Sequence, residues 1–209
     1  VSFAQDKNVT KKPVDEVTTE SSLELDSQLT ILASGDDDLI GQTITNLAKT
    51  GDTRLEEFFE LYRQGSVYNW PTEDGKIRIV VNLETVMDDD FNEFAPLLEP
   101  LTGKPFLIDG KQAKPDLLDL EDISPGRKLR SLVNSSRFLI RLFSPDYETR
   151  ISGVKKCGDP PFMTEAMTTL QDISKDKEED EKIRWTASES IALIGFGQKA
   201  EDFEGLTIR

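Results

Sequence analysis

Two stretches, DYETRISGVKKCG at residues 146–158 and DEKIRWTASESIALIG at residues 180–195, decide how this chain is read. Both open on Asp-x-x-x-Arg, Asp146 with Arg150 and Asp180 with Arg184, and the two copies lie 34 residues apart. Each continues with apolar residues at helical spacing and meets a glycine, Gly158 or Gly195. An aspartate in the first turn faces the positive end of its helix, and an arginine four residues on faces that aspartate across one turn. In a stacked array such pairs also bridge neighbouring units. Two ordinary capped helices, each with its own ion pair, give the same pattern.

Working outward, the helical pattern extends in both directions. Leu25, Leu29 and Leu32 fall on one face of a helix that stops at Ser34-Gly35. Asp36-Asp37-Asp38 then offers carboxylates to a second helix with Ile40, Ile44 and Leu47 on one side, closed by Gly51. Here Gly41 stands where the repeat's arginine belongs. A third helix carries Leu55, Phe58, Phe59 and Tyr62 and closes at Gly65, which makes an antiparallel hairpin with the second. Ser124-Pro125 reads as the cap and first position of a long helix with Leu129, Leu132, Val133, Ser136, Leu139, Ile140 and Phe143 on its stripe. Pro160-Pro161 starts another, with Met163, Ala166, Met167, Leu170 and Ile173, and the last carries Ile183, Ala187, Ile191 and Ile194 before Gly195 ends it.

Residues 66–124 break this rhythm and read as an insertion. Val67 to Trp70 and Ile77 to Val81 alternate around Pro71-Thr72-Glu73-Asp74-Gly75, a β-hairpin with its turn at Asp74-Gly75. Beyond it come Asp88-Asp89-Asp90, four spaced prolines, and a short strand at Phe106-Leu107-Ile108 before Asp109-Gly110. Tyr68 and Trp70 form an aromatic contact patch, expected either to bury the hairpin against Phe58 and Phe59 or to line a groove. Residues 1–22 read as a disordered leader, polar and unpatterned over 5–20, and 23–209 as one HEAT-like α-helical domain. Ser2 and Ala4 fit the small-x-small pattern of a signal-peptidase cut, and an ordinary chain terminus fits as well.

The composition narrows function by exclusion. Of 209 residues, 40 are Asp or Glu and 25 Lys or Arg, a net charge of -15, and there is no histidine. A surface so negative is wrong for nucleic acid and for anionic lipid. The missing histidine removes the commonest acid–base group and zinc ligand, and one cysteine, Cys157, builds neither a disulfide nor a thiolate cluster. Cys157 closes a helix, where the dipole opposes a thiolate. Ser152-x-x-Lys155 and Lys49-Thr50-Gly51 match elements of penicillin-recognising enzymes, but in the reverse chain order. The acidic clusters lack calcium-loop spacing and no glycine-rich phosphate loop is present, so no catalytic residue, metal or cofactor is expected. No apolar run approaches the ~20 residues that span a bilayer.

The short helices with recurring Asp…Arg starts resemble HEAT repeats, so the expected fold is mainly α: HEAT-like helical hairpins in a right-handed α-α superhelix, with a small β insertion. The linear order further resembles the N-terminal extracytoplasmic region of the urea ABC transporter permeases. The likeness rests on Ala33-Ser34-Gly35-Asp36, Leu47 to Asp52, Gly65-Ser66-Val67-Tyr68, Pro100 to Pro105, Arg127-Lys128-Leu129-Arg130 and Arg141 to Asp146 with Arg150. Gly126-Arg127 stand where that family has paired asparagines. The resemblance implies a periplasmic or otherwise extracytoplasmic, non-enzymatic interaction domain of a urea or amide transporter, contacting the solute-binding protein or the permease. A stand-alone secreted HEAT-like scaffold of another pathway is the alternative. With this charge, a partner face rich in Lys and Arg is expected.

Overall fold

A computed structural model describes the backbone of residues 24–72 and 75–206, with side chains through Gln198. The leader and its signal pattern, and Asp74 of the hairpin turn, lie outside the described residues. The fold is mainly α, about 54% helical. Helix α1 covers 24–30 and runs into a 3-10 turn, Ile31–Ala33. It is followed by α2 (Asp37–Lys49), α3 (Arg54–Gln64), α4 (Arg127–Arg141), α5 (Tyr147–Cys157), α6 (Met167–Lys175) and α7 (Glu181–Leu206).

The helix starts are made by side chains. Asp36 accepts from the amides of Asp38 and Leu39, Asp146 from that of Thr149, and Asp180 from those of Lys182 and Ile183. Each satisfies amides that have no partner inside the helix. Gly65 ends α3 in the left-handed conformation (φ 82°), which a residue with Cβ adopts only at a cost.

Three boundaries and one packing arrangement differ from expectation. Helix α4 starts at Arg127 with Gly126 as its cap. Ser124 instead donates its amide to Asp122 and sets its hydroxyl against Gly65. Pro160-Pro161 precede a 3-10 turn, Thr164–Ala166, and α6 begins only at Met167. Gly195 does not end α7, which runs to Leu206. Helical backbone continues there because α7 is buried on one side by packing, and Gly197 is a contact point: a Cβ would lie 2.2 Å from the Phe162 ring. Finally, α2 and α3 each pack on α4 rather than chiefly on one another. Gly41 faces Leu129 and Leu132 of α4, and a Cβ there would meet Leu132 at 3.4 Å.

Helix α4 also packs on α5, α5 on α7, and α7 on α6. A single apolar core runs through these contacts from Leu25 to Ile194, with Phe58, Phe59 and Tyr62 fully buried. Burying each such side chain contributes about 2 kcal/mol or more. Between α3 and α4, a polar clasp adds to it. Glu60 accepts from Arg63 at 2.5 Å, from Gln64 at 2.5 Å and from Arg137, while Arg141 donates to Glu56 at 2.6 Å.

The 66–124 segment holds an antiparallel sheet ordered β2-β1-β7, from β2 (Ile77–Val81), β1 (Val67–Pro71) and β7 (Glu121–Asp122). Two small hairpins complete it: β3 (Val86–Met87) with β4 (Glu93–Phe94), and β5 (Leu107–Ile108) with β6 (Lys111–Gln112). The latter turns at Asp109-Gly110, both at positive φ, as the Asp-Gly signal requires. Alternation divides the sheet between two cores. Val67, Ile79 and Val81 join the helical core. Val80, with Tyr68 and Trp70 packed beside it, joins a second, small core of Ala95, Leu97 and Ala113.

Candidate functional site

The four repeat residues gather at one end of the helical layer. Tyr147 at the start of α5 shares a surface depression with Asp180, Glu181, Lys182 and Trp185 at the start of α7. Farther along, the Ser190 hydroxyl of α7 donates to the Val154 carbonyl of α5 at 2.9 Å, and Gly158 sits against Ser190. The two helices therefore run parallel, start beside start. Gly158 is required there, since a Cβ would lie 2.8 Å from the Ser190 Cα.

Asp146 and Asp180 cap their helices, but neither pairs with the arginine four residues on. Arg150 reaches instead to Glu179 in the loop before α7. Its ion pair crosses from one helix to the next, because Asp146 is already engaged by Thr149, whose side-chain and then backbone hydrogen bonds hold its carboxyl below the usual aspartate range. Arg184 makes no ion pair among the described residues. It lines a second depression with Ser174, Glu181, Trp185 and Ser188.

Trp185 stands between these depressions with 70% of its surface exposed. Leu193 and Phe196 are exposed on the same side of α7, Phe196 at 71%. From Trp185, steps of eight and eleven residues return to one helix face. Glu189 is exposed on it, and Asp180 and Glu181 edge its start. The opposite face carries Ile183, Ala187, Ser190 and Ile194, all buried. This outer stripe was missed in the sequence because a helix ended at Gly195 loses Phe196, and the inner stripe alone accounts for the apolar period.

The aromatic patch does not form as expected. Phe58 and Phe59 are buried on the helical side, whereas Tyr68 and Trp70 project from the other face of the sheet. Trp70 meets Phe106 edge-on, with ring centroids 6.0 Å apart. Neighbouring residues on a strand point to opposite faces, so Tyr68 and Trp70 cannot share Val67's core.

A cleft of about 510 Å³ opens where α1, the start of α3, β2 and the 99–102 loop meet. Leu29, Ile77, Ile79, Leu101 and Phe106 give it an apolar lining, and Asp26, Arg54, Lys76, Arg78 and Glu99 contribute charge. Burial pushes the Asp26 carboxyl up, Glu99 adds to this, and Arg54 opposes it. Arg54 is gripped by Asp52 through two nitrogens, at 3.0 and 2.6 Å.

The remaining motifs are explained by local structure. Cys157 is buried, and burial pushes its thiol up to about 12. Ser152 and Lys155 are exposed on α5. Thr50 donates its hydroxyl to the Leu47 carbonyl at the end of α2. Asp88 organises the β3–β4 turn by accepting from the amides of Asp90 and Asn92, both at 2.9 Å. Among the described residues, no group of three or more Cys, Asp or Glu side chains is placed to hold a metal ion. No described helix is long and apolar enough to cross a membrane. Comparison with protein-family models, with curated proteins and with solved structures finds no match.

Proposed function

We propose that this chain is a non-catalytic, HEAT-like interaction domain that works outside the cytoplasm beside a urea or amide ABC permease. Its contact is with the solute-binding protein or with the permease itself. The observation that carries the reading is the outer face of α7, where Trp185, Leu193 and Phe196 stand exposed beside carboxylates. Large apolar side chains grouped on a surface mark contact sites, and tryptophan supplies more binding energy per residue than most. The carboxylates suit a partner rimmed with Lys and Arg, which they steer and orient.

Support for the repeat architecture comes from the pairings α4–α5 and α6–α7, joined through the parallel helices α5 and α7. The Arg150–Glu179 pair crosses that junction, as a bridge between stacked units does. The transporter assignment rests on the ordered motifs of the sequence.

The test is retention of the purified solute-binding protein of such a transporter on the immobilised chain. Retention at about 20 mM salt, reduced at about 500 mM, is expected, because the Debye length shrinks several-fold between them. Trp185→Ala should weaken it at least about 30-fold, the scale of a hot-spot truncation. Absence of retention at low salt, or equal retention by Trp185→Ala, contradicts the reading.

A further inference from the structure

We infer that the cleft between α1, β2 and the 99–102 loop binds a small organic cation, an ammonium on an apolar body. The site lies apart from the α7 face and is independent of the function proposed above. Its volume, about 510 Å³, falls within the ~300–1,000 Å³ range of ligand sites. As in most such sites, an apolar lining, here Leu29, Ile77, Leu101 and Phe106, is joined by a few charged side chains from separate elements.

The charge of the ligand follows from which lining groups are already engaged. Arg54 is held by Asp52 through two nitrogens. Lys76 and Arg78 have partners of their own, and the Arg78 guanidinium lies over the Phe106 ring at 5.8 Å from its centroid. The carboxylates are in the opposite position. Asp26 comes from α1 and Glu99 from the loop, and neither is in an ion pair among the described residues. They lie close enough to repel, since burial pushes the Asp26 carboxyl up and the charge of Glu99 adds to it. Arg54 opposes this through its charge alone. Two neighbouring carboxylates in a partly apolar cleft are relieved by a cation bound with them.

The hydroxyls of the lining act in the same sense. Thr30 donates its hydroxyl to the Ser27 carbonyl at 2.7 Å, and Thr102 donates to Glu99 at 2.7 Å. With their protons engaged inside the protein, both oxygens are left to the cleft as acceptors. The backbone of Ile77 and Ile79 carries a donor and an acceptor at each residue and so selects neither. The side chains without an ionic partner therefore offer oxygen lone pairs. An ammonium, with three N–H donors and no acceptor, matches that set, whereas a carboxylate is opposed by Asp26 and Glu99. The ammonium is carried on an apolar group, because Leu29, Ile77 and Leu101 then lose contact with water.

The test is titration of the full ¹⁵N-labelled chain with 2-phenylethylammonium at about pH 7, where the amine is charged. Saturable binding with a Kd of about 1 mM or below is expected, with amide shifts grouped at Asp26, Ile77 and Leu101. The neutral isostere 2-phenylethanol and the anion 3-phenylpropanoate should each bind at least about tenfold more weakly, the scale of a lost charge-assisted hydrogen bond. Asp26→Asn and Glu99→Gln should each weaken the amine about fivefold or more. A chain of net charge -15 attracts every cation to some degree, so Glu93→Gln, which removes an exposed carboxylate on β4 outside the cleft, serves as the control and should leave binding unchanged. Any of four results overturns the inference: no saturable binding of the amine, equal binding of the alcohol or the anion, unchanged binding by both cleft variants, or equal weakening by Glu93→Gln. The alcohol and the anion decide the matter on the unaltered chain even if a cleft variant misfolds.

Discussion

On the helical side of the β1–β2 sheet, Val67, Ile79 and Val81 join a core that continues through α3, α4, α5 and α7. On the far side, Val80 shares its core with Ala95, Leu97 and Ala113 as the other buried residues. The first region is held by area, with whole Phe and Leu side chains removed from water. The second is held mainly by backbone pairing and turn chemistry. Leu97 donates to the Ala113 carbonyl at 3.0 Å, Ala95 to that of Pro115 at 3.0 Å, and Asn82 clasps the Glu84 and Pro96 carbonyls. Apolar burial is roughly proportional to area, so the two regions should respond very differently to truncation. On this account the helical layer sets global stability, while the insertion is ordered by the sheet it shares with that layer.

The sharpest way to break this comparison is Phe58→Ala. Phe58 is fully buried, stacked on Tyr62 with ring centroids 6.3 Å apart, and its truncation should cost about 4 kcal/mol in denaturant unfolding. Leu97→Ala in the small core should cost about 2–3 kcal/mol. Hydrogen exchange should then open 66–124 before the amides of α3–α5. Equal loss of protection in both regions would show one cooperative core and dissolve the distinction.

A smaller effect tests the clasp between α3 and α4. The Arg63 guanidinium, aided by Gln64 and Arg137, holds the Glu60 carboxyl down to about 2. A carboxylate depressed in the folded state contributes stability that is fully present above its unfolded pKa of about 4.5 and is lost as pH falls toward 2. Discounted for partial exposure, the contribution is about 1 kcal/mol. Unfolding midpoints at pH 6, 4 and 2.5 should therefore converge for wild type and Glu60→Gln at the acid end. A constant gap across that range would remove the ion pair from the account.

Much of the helical layer was legible because its causes are local. Leu29, Ile44, Phe58 and Val133 announce their buried faces by helical spacing, and Asp36, Asp146 and Asp180 announce helix starts by capping chemistry. The errors came where distant residues decide. Gly195 reads as a stop, yet α7 continues to Leu206, and Gly197 admits the Phe162 ring. Arg150 finds Glu179 in the loop before α7, not the aspartate four residues before it. Strand β7 pairs with β1 across a long gap, helped by Asn69 donating to Glu121 at 2.5 Å. Nothing in Glu121-Asp122 marks a strand. The exposed stripe on α7 is defined by what does not cover it, which no sequence period reports.

The smallest expected effect on folding accompanies the largest on function. Trp185→Ala removes a side chain that packs on little, so stability should stay within about 0.5 kcal/mol of wild type. The decisive measurement is calorimetric titration of the solute-binding protein into wild type and Trp185→Ala at equal low salt, with unfolding curves taken on the same samples. Loss of at least about 2 kcal/mol of binding with unchanged unfolding is the result expected of a hot spot on a free outer face. Unchanged binding, or a loss of stability that matches the loss of binding, would contradict the claim that α7 presents the contact.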